Sequence, residues 1–185
     1  MIIIVGKTAS GKDTVVKKLV DDYKYTKIIT YATRPKRKGE KQDITYHFIS
    51  DDEFNQKINE GFFAECKAYD TEFGIWYYGT ALEDLENADD KSVIILTPAG
   101  YRDVKNKLGN KNITCIYLYA NNATIKKRLI ARGDDPKEAE RRVLHDNEDF
   151  KGIENEVDRI VYNNDGNTIK YAVQKILEYV EEVKD

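Results

Sequence analysis

The sequence is poor in the residues that mark several common classes of protein. Its 185 residues include two cysteines and two histidines, and Cys66 and Cys115 lack the close spacing of zinc ligands. We therefore expect no structural zinc site, and we expect reduced thiols in a cytoplasmic protein. Only three prolines are present, and no repeat or low-complexity segment marks a linker. We predict a single domain over residues 1–185, a length that can bury a full core.

An excess of one charge and a long hydrophobic run are lacking as well. Thirty Lys and Arg residues against 33 Asp and Glu residues give a net charge of −3, so no overall positive field attracts nucleic acid. No apolar run approaches the roughly 20 residues of a membrane span, and the run from Met1 to Val5 is too short for a signal-peptide core. The sequence predicts neither a nucleic-acid nor a membrane partner, and monomer and homodimer stay open.

Strand-like and helix-like patterns alternate along the chain. The apolar run Ile2–Val5 ends at Gly6, and an amphipathic helix follows. Continuous apolar runs at 93–96 and 113–119 are typical of buried parallel strands, and a crossover helix fits between them. A strand at 159–162 and a closing amphipathic helix complete the pattern. We predict an α/β fold, with a three-layer α/β/α core around a parallel sheet.

Two segments interrupt this alternation. Residues 30–85 are polar and then rich in tyrosine, and residues 124–148 form a charged helical stretch. We interpret both segments as insertions on a core that comprises residues 1–29, 86–123 and 149–185.

Residues 6–12, here called the phosphate loop, match G-x-x-x-x-G-K between a strand and a helix. In such a loop the backbone N–H groups surround phosphate oxygens, the helix N-terminus adds partial positive charge, and Lys12 reaches the β- and γ-phosphates. The alternative is a glycine turn that only caps a helix. We predict that ATP is bound by Gly6, Lys7, Thr8, Ala9, Ser10, Gly11, Lys12, Asp13 and Thr14.

Asp13 follows the loop lysine, where a serine or threonine usually serves magnesium. A carboxylate close to triphosphate oxygens would repel them unless a cation lay between the two. We therefore predict a Mg²⁺ site at Asp13, with Thr14 as the rival ligand. Stabilisation of the helix N-terminus by Asp13 is the alternative interpretation.

Further motifs, in the same order along the chain, resemble those of guanylate kinases. Residues 33–40, TRPKRKGE, resemble the family pattern T-R-x-x-R-x-G-E, and residues 46–48, YHF, resemble Y-x-F. Glu65 follows, and residues 77–80, YYGT, resemble Y-Y-G-[ST]. With the phosphate loop in front and an arginine-rich helix behind, the resemblance covers nearly the whole chain.

The resemblance implies a P-loop kinase fold and transfer of the γ-phosphoryl group of ATP to GMP or dGMP. Two arginines can clamp a phosphate dianion bidentately, and an ionised carboxylate can accept both the N1–H and the N2–H₂ of guanine. It implies that residues 30–85 form the acceptor-binding insertion. The GMP-binding residues that it implies are Thr30, Arg34, Arg37, Tyr46, Glu65, Tyr78 and Thr80.

Guanylate kinases also carry R-L-x-x-R-G and a later arginine, which Arg128, Arg132 and Arg142 match. The resemblance implies that residues 124–148 form a lid, whose arginines stabilise the transferred phosphoryl group together with Lys12. It places Asn163 on the adenine side of the ATP site. The alternative for the arginines is a solvated helix in which Glu138 and Glu140 are their partners, and Arg142 is favoured over Arg141.

The sequence departs from the family at residues 95–97, Ile-Leu-Thr, where guanylate kinases usually have D-x-D. Asp13 is the carboxylate expected to compensate at the metal. Two other functions stay open: a kinase of another nucleoside monophosphate or of ribose bisphosphate, and a non-catalytic module that binds phosphopeptides. Glu65 and the tyrosines argue against the sugar, and Lys12 argues against the binding module.

Overall fold

A computed structural model describes residues 1–37, 39–71, 74–109 and 112–183. Its strands are β1 (Ile2–Val5), β2 (Thr26–Lys27), β3 (Tyr31–Ala32), β4 (His47–Phe48), β5 (Phe63–Thr71), β6 (Gly74–Ala81), β7 (Ser92–Ile95), β8 (Thr114–Tyr119) and β9 (Arg159–Tyr162). Its helices are α1 (Lys12–Tyr23), α2 (Asp51–Asn59), α3 (Leu82–Glu86), α4 (Pro98–Leu108), α5 (Asn122–Ala131), α6 (Pro136–Asp149) and α7 (Ile169–Glu182). No helix within these described ranges is long and apolar enough to cross a membrane.

The core is a parallel sheet of five strands in the order β2-β7-β1-β8-β9. Strand β1 is central and completely buried, and Ile3 pairs with Ile94 on one side and Cys115 on the other. Apolar side chains on both faces of β1 need covering: α1 and α7 pack on one face, and α4 packs on the other. The predicted three-layer α/β/α core is confirmed.

Residues 30–85 contain a second sheet of four strands, in the order β4-β3-β6-β5. The N-terminus of α2 is capped by Ser50 Oγ, which accepts a hydrogen bond from the Glu53 amide at 3.1 Å. Gly79 of β6 makes room for the Phe54 and Phe63 rings, since a Cβ there would lie 2.9 Å from Phe63. Strands β5 and β6 pair along their whole length as one long antiparallel hairpin.

The charged stretch from 124 to 148 is broken into two helices. Helix α5 ends at Ala131, and α6 begins after Asp135, whose carboxylate accepts from the Lys137 and Glu138 amides. The two helices share a small apolar cluster, separate from the clusters that flank the core sheet, formed by Ala120, Ile125, Leu129, Ala139 and Val143. Arg128 lies on α5, Arg132 directly follows its end, and Arg142 lies on α6.

Candidate active site

The outer glycines of the phosphate loop stand where no side chain fits. A Cβ on Gly6 would lie 2.7 Å from both the Leu118 carbonyl oxygen and Ser10 Oγ. Gly11 has a φ of 101°, in the left-handed region, and a Cβ there would lie 2.6 Å from Asn163 Nδ2. The loop is therefore packed against the core strands, in the tight turn that a phosphate cradle requires.

Lys12 is folded over the loop that precedes it. Its Nζ donates to the Gly6 carbonyl at 2.6 Å and to the Lys7 carbonyl at 2.8 Å. Burial lowers the pKa of Lys12, and the carboxylates of Asp13 and Asp146 partly oppose that shift. An ammonium group has three donors, so one remains for a phosphate oxygen.

Helix α6 contacts the phosphate loop through two polar side chains that the sequence did not single out. The Thr8 amide donates to Asp146 Oδ2 at 2.6 Å, and Lys7 Nζ donates to Asn147 Oδ1. Asp146 is 138 positions from Thr8, so no local pattern could have identified this contact. The end of the lid segment is thereby attached to the loop that is predicted to hold ATP.

Arg128 and Asn163 lie behind the loop. Arg128 donates to the carbonyl oxygens of Ala9 at 3.2 Å, Ser10 at 3.3 Å and Asn163 at 2.8 Å. Asn163 is fully buried, and its Nδ2 donates to the Ser10 carbonyl at 2.8 Å. Asn163 therefore supports the phosphate loop, and its contact with ATP stays a prediction.

The residues predicted to hold the acceptor phosphate are here called the acceptor clamp: Arg34, Arg37, Tyr46 and Tyr78. Arg34, at its centre, is buried. Its guanidinium forms a bidentate pair with Glu40, with both N–O distances 2.6 Å, and lies 5.1 Å from the Tyr46 ring centre and 5.4 Å from that of Phe48. The hydrogen bonds to Glu40 raise the pKa of Arg34, and Arg34 in turn lowers the pKa of the Glu40 carboxyl. The cation is therefore fixed in place before any ligand binds.

The other predicted clamp residues surround Arg34 with varying exposure. The Tyr46 and Tyr78 ring centres are 6.0 Å apart, and both residues are half-buried. Arg37 is exposed, and its backbone amide donates to Glu40 Oε2 at 2.8 Å. Thr30 is half-buried. Arg37 thus presents an exposed guanidinium on the loop that holds Glu40.

Glu65 and Thr80 form a buried polar pair across β5 and β6. They are register partners, and Thr80 Oγ1 donates to Glu65 Oε1 at 2.7 Å. Burial raises the pKa of Glu65, while the hydrogen bond from Thr80 and the charge of Lys67 lower it. The second oxygen, Oε2, lies 3.1 Å from where a Cβ on Gly100 would be, so a side chain at that position would crowd the carboxylate.

The hydroxyl groups of Tyr69 and Thr97 also lie near Glu65, and the sequence did not assign a role to either. Tyr69 is on the same face of β5 as Glu65, since side chains alternate along a strand, and its ring lies 5.4 Å from that of Tyr78. Burial and the nearby Glu65 raise the pKa of Tyr69 to about 12, against a smaller opposing effect of the Thr97 hydroxyl. Strand alternation counted from Glu65 could have identified Tyr69.

The lid arginines are held by carboxylates of their own segment. Arg132 forms a bidentate pair with Asp134, at 2.7 and 3.0 Å. Arg142 donates to the same Asp134 at 3.1 Å and to Glu138 at 2.8 Å, and Glu138 also pairs with Arg141. The sequence had suggested Glu138 and Glu140 as partners, but Glu140 pairs with Lys126 instead. Asp134, which joins the two arginines, was missed.

Asp13 and Thr14 are exposed in the first turn of α1. Across the described ranges, no group of three or more His, Cys, Asp and Glu side chains is arranged to hold a metal ion. Burial lowers the pKa of Lys27 and raises that of Tyr46, and the charge of Asp13 is a smaller influence on both.

Comparison with known proteins agrees with this geometry. The family described as Guanylate kinase matches residues 1–180. The guanylate kinase of Campylobacter jejuni (strain RM1221) is 31% identical over 183 residues, which cover 96% of this chain and 87% of that protein. The guanylate kinase of Helicobacter hepaticus is 31% identical over 182 residues, which cover 95% and 88%.

Solved structures show the same fold. A guanylate kinase from Anaplasma phagocytophilum superposes with a TM-score of 0.70 at 17% identity, over 98% of this chain and 85% of that chain. A gluconokinase from Sinorhizobium meliloti 1021 gives a TM-score of 0.53 at 16% identity, over 98% and 91%. The sequence matches extend the likeness from fold to family: the chain belongs to the guanylate kinases, enzymes that transfer a phosphoryl group from ATP to GMP.

Proposed function

We propose that the phosphate loop binds ATP and that the second sheet binds GMP, so that the γ-phosphoryl group passes across the cleft between them. The reaction follows from the family, and the assignment of roles to residues is the proposal. The buried Glu65–Thr80 pair carries it, because a buried carboxylate that accepts one hydrogen bond from Thr80 has a second oxygen and further lone pairs for the paired donors of guanine.

In this proposal Glu65 and Thr80 recognise the guanine base, with Thr30 at its edge. Arg34, Arg37 and the hydroxyls of Tyr46 and Tyr78 hold its phosphate. Arg34 is already paired with Glu40, so the phosphate adds to an existing ion pair rather than capturing a mobile side chain. A ribose phosphate has no base, so the buried Glu65 carboxylate would keep only the hydrogen bond from Thr80 and would gain no donor from the ligand. This disfavours a sugar acceptor.

On the ATP side, the backbone of the phosphate loop and Lys12 receive the β- and γ-phosphates. Arg128 and Asn163 hold the loop from behind through its carbonyl oxygens. We propose that the insertion at 30–85 and the lid at 124–148 close over the bound substrates, which excludes water. On closure, phosphate oxygens replace Asp134 as the partner of Arg132 and Arg142, and the arginines then stabilise the transferred group.

Magnesium fits the donors at the start of α1. Asp13 and Thr14 present exposed oxygen ligands, the type that Mg²⁺ prefers, and one carboxylate with substrate phosphates is a sufficient set. When bound, the ion neutralises charge on the β- and γ-phosphates.

Replacing Asp13 tests this metal assignment. Asp13→Asn should raise the free magnesium needed for half-maximal rate by about fivefold, since one carboxylate ligand is lost. The measurement is rate against free magnesium at saturating ATP and GMP, with Asp21→Asn on the same helix as the control. Superimposable curves together with a lower Tm would make Asp13 a helix-stabilising residue and transfer the metal role to Thr14.

A coupled assay of ADP release tests the proposed function as a whole. The acceptors are GMP, dGMP, AMP, CMP, UMP and ribose 1,5-bisphosphate, each at equal concentration with ATP and magnesium. We expect GMP or dGMP to give the highest kcat/KM. Equal turnover of AMP would remove Glu65 from guanine recognition, and ADP release with the sugar bisphosphate alone would overturn the acceptor assignment.

A further inference from the structure

Lys27 links the core sheet to the acceptor clamp. It is the last residue of the edge strand β2, at the carboxyl end of the parallel sheet, and its side chain is half-buried. Its Nζ donates to the Thr45 carbonyl at 3.2 Å and lies 5.7 Å from the centre of the Tyr46 ring. The ammonium group therefore leaves the core and ends beside the residues proposed to hold the acceptor phosphate.

Two cations approach the same tyrosine ring. The Arg34 guanidinium carbon lies 5.1 Å from the centre of Tyr46, and Lys27 Nζ lies at 5.7 Å. They differ in their counter-charge. Arg34 has a bidentate partner in Glu40, whereas Lys27 forms no ion pair with a carboxylate in the described parts of the chain.

An ammonium group that is partly removed from water needs an anion or several hydrogen bonds. Burial lowers the pKa of Lys27, and the charges of Asp13 and Glu40 oppose the shift without cancelling it. One of its three donors is used by Thr45, which leaves two. A phosphate dianion beside the Tyr46 ring would supply both the missing charge and the missing acceptors.

The ordinary alternative is that Lys27 only packs on an aromatic ring. Lys57 provides the comparison, because its Nζ also lies 5.7 Å from a tyrosine ring, that of Tyr31, and 4.2 Å from Phe62. Lys57, however, has a carboxylate 4.0 Å away, on Glu53. The two lysines share their aromatic contact and differ in their counter-charge.

We propose that Lys27 binds the phosphate group of the acceptor nucleotide beside the Tyr46 ring. The inference rests on the proposed function, and it adds a third cation to Arg34 and Arg37. Lys27 binds an oxygen of that phosphate through a charge-assisted hydrogen bond, without taking a proton from it.

The test compares GMP with guanosine, which has the same base and ribose and lacks the phosphate. Trp76, the single tryptophan, is on β6 next to Tyr77 and Tyr78, so its fluorescence reports binding at this site. Lys27→Met should weaken GMP binding about 10- to 100-fold and leave guanosine within about twofold of wild type. Lys27→Arg should restore most of the GMP affinity, and Lys57→Met should bind both ligands as wild type does.

Each result decides for or against the inference. Equal weakening of GMP and guanosine by Lys27→Met would make Lys27 a packing residue, and unchanged GMP binding would remove it from the site. If wild-type protein phosphorylates GMP in either case, the proposed function stands without Lys27. If wild-type protein neither binds nor phosphorylates GMP, the proposed function and this inference both fall.

Discussion

The acceptor site and the lid treat their charged groups in opposite ways. The Arg34 side chain is 4% exposed and the Glu65 residue 8%, and each is held by a partner on its own sheet or loop. The Arg132 side chain is 57% exposed, and its partner Asp134 lies in the same loop between α5 and α6. Buried pairs are costly to break, whereas exposed pairs exchange partners readily. We therefore expect selectivity to be set before the substrate binds, and catalytic charge to be supplied when the lid closes.

The largest expected effect is that of removing a lid arginine, Arg132. Arg132→Ala should lower kcat by about 10³-fold with a smaller change in nucleotide affinity, since the arginine acts on the transferred phosphoryl group. Steady-state kinetics measure the change, and Arg141→Ala, whose guanidinium contacts only Glu138 among described side chains, is the control. A kcat near wild type with a lower Tm would show that Arg132 is structural.

The next effect concerns the acceptor side. Glu65→Gln keeps the shape of the side chain but replaces one acceptor oxygen with a donor that faces the donors of guanine. We expect the ratio of kcat/KM for GMP to that for AMP to fall about 10²-fold. Glu60→Gln, on the exposed end of α2, should leave the ratio unchanged. An unchanged ratio in Glu65→Gln would end the assignment of Glu65 to the base.

A smaller effect tests whether Asp134 competes with substrate. Asp134→Asn removes the carboxylate that holds Arg132 and Arg142, so both should bind phosphate more readily. Because exposed ion pairs contribute little, we expect the KM for ATP to fall only about threefold. Glu140→Gln, which breaks the Lys126 pair on the same two helices, is the matched control. A higher KM in Asp134→Asn would mean that Asp134 positions the arginines for catalysis.

The smallest effect is a pH dependence. Burial raises the pKa of Glu65 above its ordinary value of 4.5, and only the ionised form accepts both guanine donors. As the pH is lowered toward that raised pKa, kcat/KM for GMP should decline, and a profile of kcat/KM against pH measures the decline. Lys67 and Thr80, which favour the charged form, limit the decline. The same acid limb in Glu65→Gln would assign it to another group.

The sequence was a good guide wherever a short pattern corresponds to one backbone geometry. The glycines at 6 and 11 and the continuous apolar strands each follow from local rules, and each is found as expected. The family motifs then identified Glu65 and Arg34 as candidate site residues. Glu65 is on β5 of the second sheet, and Arg34 follows β3 of the same sheet. These features need only neighbouring residues, so a linear reading suffices.

Contacts between distant segments could not be predicted in this way. Asp146 reaches Thr8 and Asn163 reaches Ser10 because the fold brings their strands and helices together, and the spacing in sequence carries no sign of it. One partner of the lid arginines was predicted incorrectly for a different reason. Several carboxylates are within reach of each arginine, and the helix break after Ala131, not the charge pattern, selects Asp134 over Glu140.

The attachment of α6 to the phosphate loop has a consequence for sequence evolution. Asn147 accepts from the Lys7 side chain, whereas Asp146 accepts from the backbone amide of Thr8, which every residue except proline supplies. In an alignment of close relatives, residue 7 should therefore covary with residue 147, and residue 8 should exclude proline. A homologue that lacks Asn147 should also replace Lys7, since a half-buried ammonium would otherwise lose its acceptor.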